Sequence, residues 1–548
     1  MKLPNPLQNS ELHAQMVMCG RRWWDPFMDQ LHRPQAVQDL VLKSILQAQA
    51  FTVFGQTHRF PLLKGSREFR REVPIHTYED LRLPIEDQEA RKEAMLNGEQ
   101  PLTYALTSGT TGKPKLIPVL HQTQEALRHY QWLSTYAQYQ ALPSIFEGKM
   151  LVIAGPEVEG YLDTGTSYGS MSGLLTAALP AVLQQKLFLP KALHEVKDYQ
   201  EKYMYLVAYA LSEPNLSVVA TANPSTFLKL WEMGCLYFPQ LVEMLASNSS
   251  EPQQGHLPLP HISRRRLRQL QDFIGHEDQL TVEELWPNLK SVVTWMGGSC
   301  GVLIPKLKAS LAPQTAIIEM GYLSSECMGS VNVDPTTNRC VPTIQENFYE
   351  FVSQSDWEAD HPHTVTVEQL EEGKKYYVVV TAANGLYRYF MNDLIEVTGH
   401  FHCTPTIAFI QKGKGVTNIT GEKLYEYHVI EAMEAVQNRY RTTVAFYVML
   451  ADPLARQYIL YMEHPPLDTC VGRQLEKALA KSNVEFQNKR DSGRLEPIRV
   501  VHLEPGTGEA YKTHCLQQGQ RDAQFKVVRL QYAKDCSFDF MKYGRNPF

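Results

Sequence analysis

Thr107-Ser108-Gly109-Thr110-Thr111-Gly112-Lys113-Pro114-Lys115 places four small hydroxyl residues, two glycines and two lysines in nine positions. Glycines let a backbone turn back sharply and bring its N–H groups close to an anion. Ser and Thr hydroxyls donate hydrogen bonds to phosphate oxygens, and lysine adds a mobile point charge. The stretch therefore reads as a nucleotide phosphate loop. It is not a Walker A loop: only two residues separate Gly109 from Gly112, and proline follows Lys113. Leu102 to Leu106 reads as a strand before it, and Lys115 to Val119 as a second strand after it. The expected element is a strand–loop–strand clamp. The competing reading is an ordinary Gly/Thr turn between two strands.

Outward from the loop, the bulk numbers are unexceptional. The 548 residues allow several domains. Apolar content of 43% and charged content of 20% describe an ordinary globular chain. A net charge of −6 gives no reason to expect nucleic acid or an anionic membrane as partner. The one basic run, Arg264-Arg265-Arg266-Leu267-Arg268, reads as a solvated helix face. The apolar stretch Leu174 to Leu189 is broken by Pro180, Gln184, Gln185 and Lys186, so it does not read as a membrane span. No signal peptide is evident, and nine scattered cysteines without a C-x-x-C pair suggest reduced thiols in a cytoplasmic protein.

The organisation reads as α/β. The first hundred residues look helical, and Pro74 opens an extended stretch. Met150 to Ala154 is a strand, Leu174 to Leu285 is mostly helical, and strands alternate with tight loops from Ser291 to Glu396. Beyond Lys412 the pattern is a short strand Val416 to Ile419, then Val429, Ile430, Met433 and Val436 at helical spacing. Strands Val444 to Leu450 and Tyr458 to Met462 follow, then helix residues Val471, Leu475 and Leu479, and a strand Ile498 to Leu503. That β-α-β-β-α-β order describes a compact α+β module. The expected domains are 1–411, large and multi-sheet, and 412–548, a small lid, with a hinge in Gln411-Lys412-Gly413-Lys414-Gly415.

Four further segments fit one nucleotide site. Gly297 and Gly298, with Ser299, follow the apolar Val292-Val293 and allow close backbone approach to a flat ligand such as adenine. Gly321-Tyr322-Leu323-Ser324-Ser325-Glu326 offers an aromatic ring for a base, hydroxyls for the α-phosphate and a carboxylate for magnesium. In Tyr387-Arg388-Tyr389-Phe390-Met391-Asn392-Asp393, Asp393 suits the two ribose hydroxyls; Arg388 reads either as a phosphate or carboxylate ligand or as a structural ion-pair partner. In Gln524-Phe525-Lys526-Val527-Val528, a lysine among apolar residues is either carried into a closed site or a snorkelling surface lysine.

Order and spacing together resemble the acyl acid amido synthetases of the Gretchen Hagen family, relatives of acyl-CoA synthetases in the adenylate-forming superfamily. The likeness runs nearly the length of the chain. It covers Phe54-Gly55 with Phe60, Val73-Pro74 through Tyr78-Glu79, the loop, Tyr322-x-Ser324-Ser325-Glu326, Tyr387-Arg388-Tyr389 with Asp393, and Gly421-Glu422-Lys423-Leu424. It implies an ATP- and magnesium-dependent ligase that adenylates a carboxylic acid and passes the acyl group to an amine, in the form of an amino acid. It also implies a monomer.

By the same resemblance Ser108, Gly109, Thr110, Thr111, Lys113, Ser299, Ser324, Ser325 and Lys414 contact the nucleotide, with Tyr322 and Gly298 at adenine and Asp393 at ribose. Glu326 holds magnesium, and Lys526 is the catalytic cation delivered by the lid. Three departures stand out. The Thr110-Thr111-Gly112-Lys113 wording looks more like acyl-CoA ligases. Asn392 stands where the family has Gly, and Asn tolerates the left-handed backbone such a turn needs. Lys526 lacks the proline-rich neighbourhood of many relatives, which leaves Lys512 as a substitute. An acyl-CoA ligase and a non-catalytic nucleotide-binding protein are the alternatives. A serine hydrolase, from Gly165-Thr166-Ser167-Tyr168-Gly169, is a more distant one.

Overall fold

A computed structural model describes residues 11–107, 114–196, 198–247, 257–275, 280–358, 362–413, 416–420, 422, 424–444, 446–465, 470–491, 493–518, 520 and 525–545. Contacts sort the chain into two units. The larger comprises Met1–Trp295, Leu307–Met391 and Ile395–Ala408; the smaller comprises Met296–Lys306, Asn392–Leu394 and Phe409–Phe548.

Helices fill the start of the larger unit, ending with Tyr78–Arg91. Here the expectation of an extended stretch from Pro74 is corrected. Thr77 donates its backbone N–H to Asp80 Oδ2 at 2.7 Å and opens the helix only three residues after the proline. Thr103–Thr107 and Lys115–Val119 are antiparallel, in register from Thr103 opposite Val119 to Thr107 opposite Lys115. The loop therefore leaves and returns at paired positions, a strand–loop–strand clamp. Ser167–Gly169 lies parallel to Thr103–Thr107 in the same sheet. Ser167 thus sits at the start of a strand, its hydroxyl donating to Thr103 Oγ1 at 2.8 Å, and no strand-to-helix elbow presents it as a nucleophile.

A second sheet is all parallel, in the order Lys149–Ile153, Leu216–Thr221, Ser291–Thr294, Ala316–Glu319. Helices cover it, as parallel strands buried on both faces require. Leu216–Thr221 lies inside the stretch read as mostly helical. Its β-branched run Val218-Val219, bounded by Pro214 and Pro224, was the available strand signal. Arg266 corrects the reading of the basic run. Arg264, Arg265 and Arg268 are exposed, but Arg266 is 2% exposed and donates to the carbonyls of Leu211 (2.9 Å) and Leu285. Burial lowers its guanidinium pKa to about 10. A third, five-stranded sheet runs in the order Thr364–Val365, Phe348–Ser353, Lys375–Thr381, Tyr389–Phe401, Thr404–Lys412.

The smaller unit carries a sheet ordered Arg499–His502, Gln457–Met462, Tyr447–Asp452, Leu530–Tyr532. Side chains alternate along it. Tyr447, Met449 and Ala451 face the helices Glu426–Tyr440 and Val471–Ser482, whereas Phe446, Val448 and Leu450 pack with Tyr511, Phe525 and Phe540. The α+β reading holds with one strand exchanged. Val416–Thr417 pairs with Leu424–Tyr425 in a two-residue ribbon, and the fourth sheet strand is Leu530–Tyr532, parallel to Tyr447–Asp452. No helix among the described residues is long and apolar enough to cross a membrane.

Candidate active site

Lys115 leaves the clamp directly into a cluster drawn from three other segments. Its Nζ donates to Tyr389 Oη at 3.0 Å and lies 4.0 Å from Glu326 Oε1; Tyr389 Oη donates in turn to Glu326 Oε1 at 3.3 Å. The ammonium also sits 5.4 Å from the ring centroid of Tyr78 and 5.7 Å from that of Tyr389. Tyr78 closes the underside. Its hydroxyl accepts from the N–H of Leu116 at 2.6 Å and donates to the carbonyl of Leu116 at 3.1 Å. Burial pushes its phenol up to about 12, so it stays a neutral donor. Both Lys115 and Glu326 are largely buried. Ser108, Gly109, Thr110, Thr111 and Lys113, and Lys414 of the hinge run, lie outside the described residues.

The segment around Glu326 is a tight reverse turn. Ser324 Oγ donates to the carbonyl of Cys327 and accepts the Cys327 N–H, both at 3.1 Å, so this hydroxyl builds the turn. Tyr322 is 7% exposed, its N–H donating to Ser330 Oγ at 2.8 Å. Ser325 and Glu326 open onto a small pocket whose lining also includes Leu127, Met328 and Asn384.

Magnesium is tested by the donors here. Among the described residues no three His, Cys, Asp or Glu side chains cluster to cage a metal. Magnesium needs no such cage, since one carboxylate, waters and substrate phosphates suffice. Glu326, with a single long hydrogen bond on Oε1, fits that arrangement.

The remaining candidates belong to the smaller unit. Gly297 and Gly298 are tight because of the protein itself. A Cβ on Gly297 would stand 2.5 Å from the Phe409 carbonyl, and one on Gly298 2.9 Å from the Ile410 carbonyl and from the Phe409 ring. Gly298 adopts φ +56° and opens the 3-10 turn Gly298–Leu303, which contains Ser299. The strand this glycine pair packs on therefore excludes a side chain at either position.

Asn392 has φ +53°, the left-handed backbone its position was expected to need. Its carbonyl accepts from the Gly413 N–H at 2.7 Å, and a Cβ on Gly413 would meet Asn392 Oδ1 at 1.9 Å. Asp393 is 1% exposed and pairs with Lys412 at 3.3 Å. Lys526 is half-buried with Nζ 5.1 Å from the Phe409 ring centroid, on the ring that seals Gly298. Lys512 is 5% exposed and lies against Phe525.

Residues 25–317, 340–412 and 427–535 match the GH3 family N-terminal, central and C-terminal domains. The chain belongs to the GH3 family. Indole-3-acetic acid-amido synthetase GH3.15 of Arabidopsis thaliana is 24% identical to it, over 90% of each chain; GH3.4 of the same plant and the same activity name is 23% identical, over 92% of this chain and 90% of that one. A solved structure of the GH3.15 acyl acid amido synthetase with 2,4-DB superposes with a TM-score of 0.80 at 21% identity, covering 95% of both chains. A 2-hydroxyisobutyryl-CoA ligase reaches a TM-score of 0.55 at 12% identity, over 92% of this chain and 90% of that one. At these identities the structures establish the fold: mixed α/β, a large N-terminal part and a smaller C-terminal one.

Two groups in this family member were not singled out by sequence reasoning. Lys115 was counted as the second lysine of the loop motif and as the start of a strand, but was given no role of its own in the site. Glu426, first residue of the helix Glu426–Tyr440, is buried, and the Arg529 N–H donates to its Oε1. Burial raises its carboxyl to about 7, outweighing the pull of the Arg529 amide and of the Arg529 and Lys526 charges. A carboxyl raised in the fold contributes stability that is fully present below its unfolded pKa, near 4.5, and is lost as pH rises through about 7. At 1.36 kcal/mol per unit the loss reaches about 3 kcal/mol. Denaturant unfolding from pH 5 to 8 is expected to show this decline in the wild type and a flatter profile in Glu426→Gln. Parallel profiles would exclude Glu426 as its source.

Proposed function

We propose that this chain joins a carboxylic acid to an amine, an amino acid in the natural reaction, through an acyl-adenylate made from ATP. The Lys115–Tyr389–Glu326 cluster at the foot of the clamp carries the reading, because it sets a fixed cation and a neutral donor beside a carboxylate where phosphates would enter. In the first step a carboxylate oxygen attacks the α-phosphorus and pyrophosphate leaves. In the second, the amine nitrogen attacks the acyl carbon, AMP leaves with the C–O bonding pair, and the amine loses a proton. Two anions meet in the first step, so placed cations and donors matter more than covalent catalysis.

Ser108, Gly109, Thr110, Thr111 and Lys113 are assigned to the phosphates, with Lys414, Ser299, Ser324 and Ser325 as further nucleotide contacts. Tyr322 and Gly298 take adenine, Asp393 takes ribose, and Lys526 neutralises the charge that builds at the α-phosphate. Magnesium, when bound through Glu326, supplies charge neutralisation to the phosphates. Residues 412–548 are assigned as a lid that excludes water from the adenylate, and the working form as a monomer. The family's relatives named as acid-amido synthetases support an amide-forming ligase, and their names put indole acids first among candidate substrates.

Acid-dependent exchange of labelled pyrophosphate into ATP tests the first step, and addition of amino acids against coenzyme A then separates an amide ligase from a thioester ligase. Exchange with no acid, ATP still binding, would overturn the proposal in favour of a binding-only protein. Glu326→Gln is expected to raise the magnesium concentration at half-maximal exchange by about tenfold, the cost of ~1.4 kcal/mol in one charged ligand. A magnesium titration that overlays the wild type would remove Glu326 from that role.

A further inference from the structure

The pocket beside Glu326 has a chemical polarity that bears on which acids it takes, given the adenylation reading above. Its apolar wall comprises Ala126, Leu127, Met171 and Met328. Among the described residues that line it, the charged ones are both carboxylates, Glu326 and Glu346. Glu326 stands with Lys115 at the clamp, so the reacting carboxylate enters there. Glu346 marks another part of the wall, held by His129 with Nδ1 2.5 Å from Glu346 Oε1. His129 is fixed in turn by Trp23, whose ring centroid lies 4.7 Å away. The Glu346 backbone is tied down by its N–H donating to the Thr343 carbonyl at 3.0 Å. With one oxygen occupied by His129, the second carboxylate oxygen remains as an acceptor.

Asn384 marks the Glu326 end of the pocket instead. Asn384 lines the pocket at 4% exposure, its Nδ2 donating to the Glu326 carbonyl at 3.3 Å, while its Oδ1 is buried without a hydrogen-bond partner among the described residues.

We propose that Glu346, oriented by His129, makes this pocket selective for carboxylic acids that carry an O–H or N–H donor on the ring or chain remote from the reacting carboxylate. A second carboxylate at that end would face Glu346 and is disfavoured. A purely apolar acid leaves the second oxygen of Glu346 desolvated without a partner, a penalty of the kind that makes sites built for a substrate hydroxyl reject its analogue strongly.

Matched acids of equal size read this directly: para-hydroxyphenylacetate against para-methylphenylacetate, and meta-hydroxybenzoate against meta-methylbenzoate. Binding of each to the whole protein is followed by calorimetry without ATP, and pyrophosphate exchange is measured alongside. The hydroxy acids are expected to bind at least tenfold tighter than their methyl isosteres. That ratio is expected to collapse toward one in Glu346→Leu and to shrink in Glu346→Gln, the milder variant that keeps the volume. Equal binding within each pair, or a preference unchanged in a folded Glu346 variant, would overturn the inference. Donor preference in binding with no exchange would sink the adenylation reading alone.

Discussion

Lys526→Ala is expected to slow acyl-adenylate formation by about 10²–10³ while ATP still binds, the effect typical of losing one placed charge donor in a charge-building step. The geometry of the smaller unit explains why this lysine, and not Lys512, is the candidate. Lys526 sits between two anchors, Phe525 at 5% exposure and Arg529 at 1%. Arg529 donates from its guanidinium to the Tyr447 carbonyl at 2.8 Å and stacks at 4.4 Å over the Tyr447 ring, while its backbone N–H is taken by Glu426. The strap carrying Lys526 is thereby clamped while its ammonium stays half-buried over Phe409. Lys512 is buried in the helix Thr507–Gln517 against Phe525, with no comparable opening. Single-turnover formation of the acyl-adenylate, with ATP affinity measured separately, decides it. A rate within a few-fold of wild type would remove Lys526 from the chemistry, and loss of ATP binding would move it from the reaction to ground-state binding.

What was legible in the chain follows the range of the forces involved. The clamp could be read because its strands are near in sequence and its loop chemistry is local. The helices of the smaller unit announced themselves through Val429, Met433 and Val436, which all reach full burial. Long-range pairing was not legible. Leu530–Tyr532 enters the sheet beside Tyr447–Asp452 through hydrogen bonds between residues some eighty positions apart, and no local pattern chooses it over Val416–Thr417. The run of arginines was read by its composition, whereas one member, Arg266, is drawn inside by carbonyls of Leu211 and Leu285. The pair His129–Glu346 spans 217 positions, beyond any motif. The packing of the glycine pair was equally out of reach of local pattern. Gly297 and Gly298 are demanded by packing as well, because a Cβ on either would meet Phe409 or Ile410.

Arg388 was left open between a phosphate ligand and a structural partner, and its surroundings make the second role the stronger prediction. Its guanidinium binds Glu350 through both branches, Nε to Oε2 and Nη2 to Oε1, each at 2.9 Å. Nη1 donates to the carbonyls of Arg70 at 2.8 Å and Val73 at 2.7 Å, and Thr364 Oγ1 donates to Glu350 Oε1 at 2.7 Å. Arg388 is 6% exposed and Glu350 1%. The residue also holds a left-handed backbone, φ +44°, which a non-glycine adopts only where its surroundings impose it. Every donor thus has a protein acceptor, and none is left for phosphate.

Removing one member of so buried a pair strands the other charge, so Arg388→Met or Glu350→Gln is expected to cost about 3–5 kcal/mol. The double replacement Arg388→Met with Glu350→Leu is expected to recover a large part of that, because two apolar side chains strand nothing. Activity should fall with the singles for a different reason: the adjacent Tyr389 supplies the hydroxyl that links Lys115 to Glu326, and that link tolerates little displacement. Denaturant unfolding of the two singles and the double, read beside ATP affinity, separates the roles. Recovery of stability in the double with ATP affinity near wild type would fit the structural ion pair. Normal stability in Arg388→Met with lost ATP affinity would return Arg388 to the phosphates.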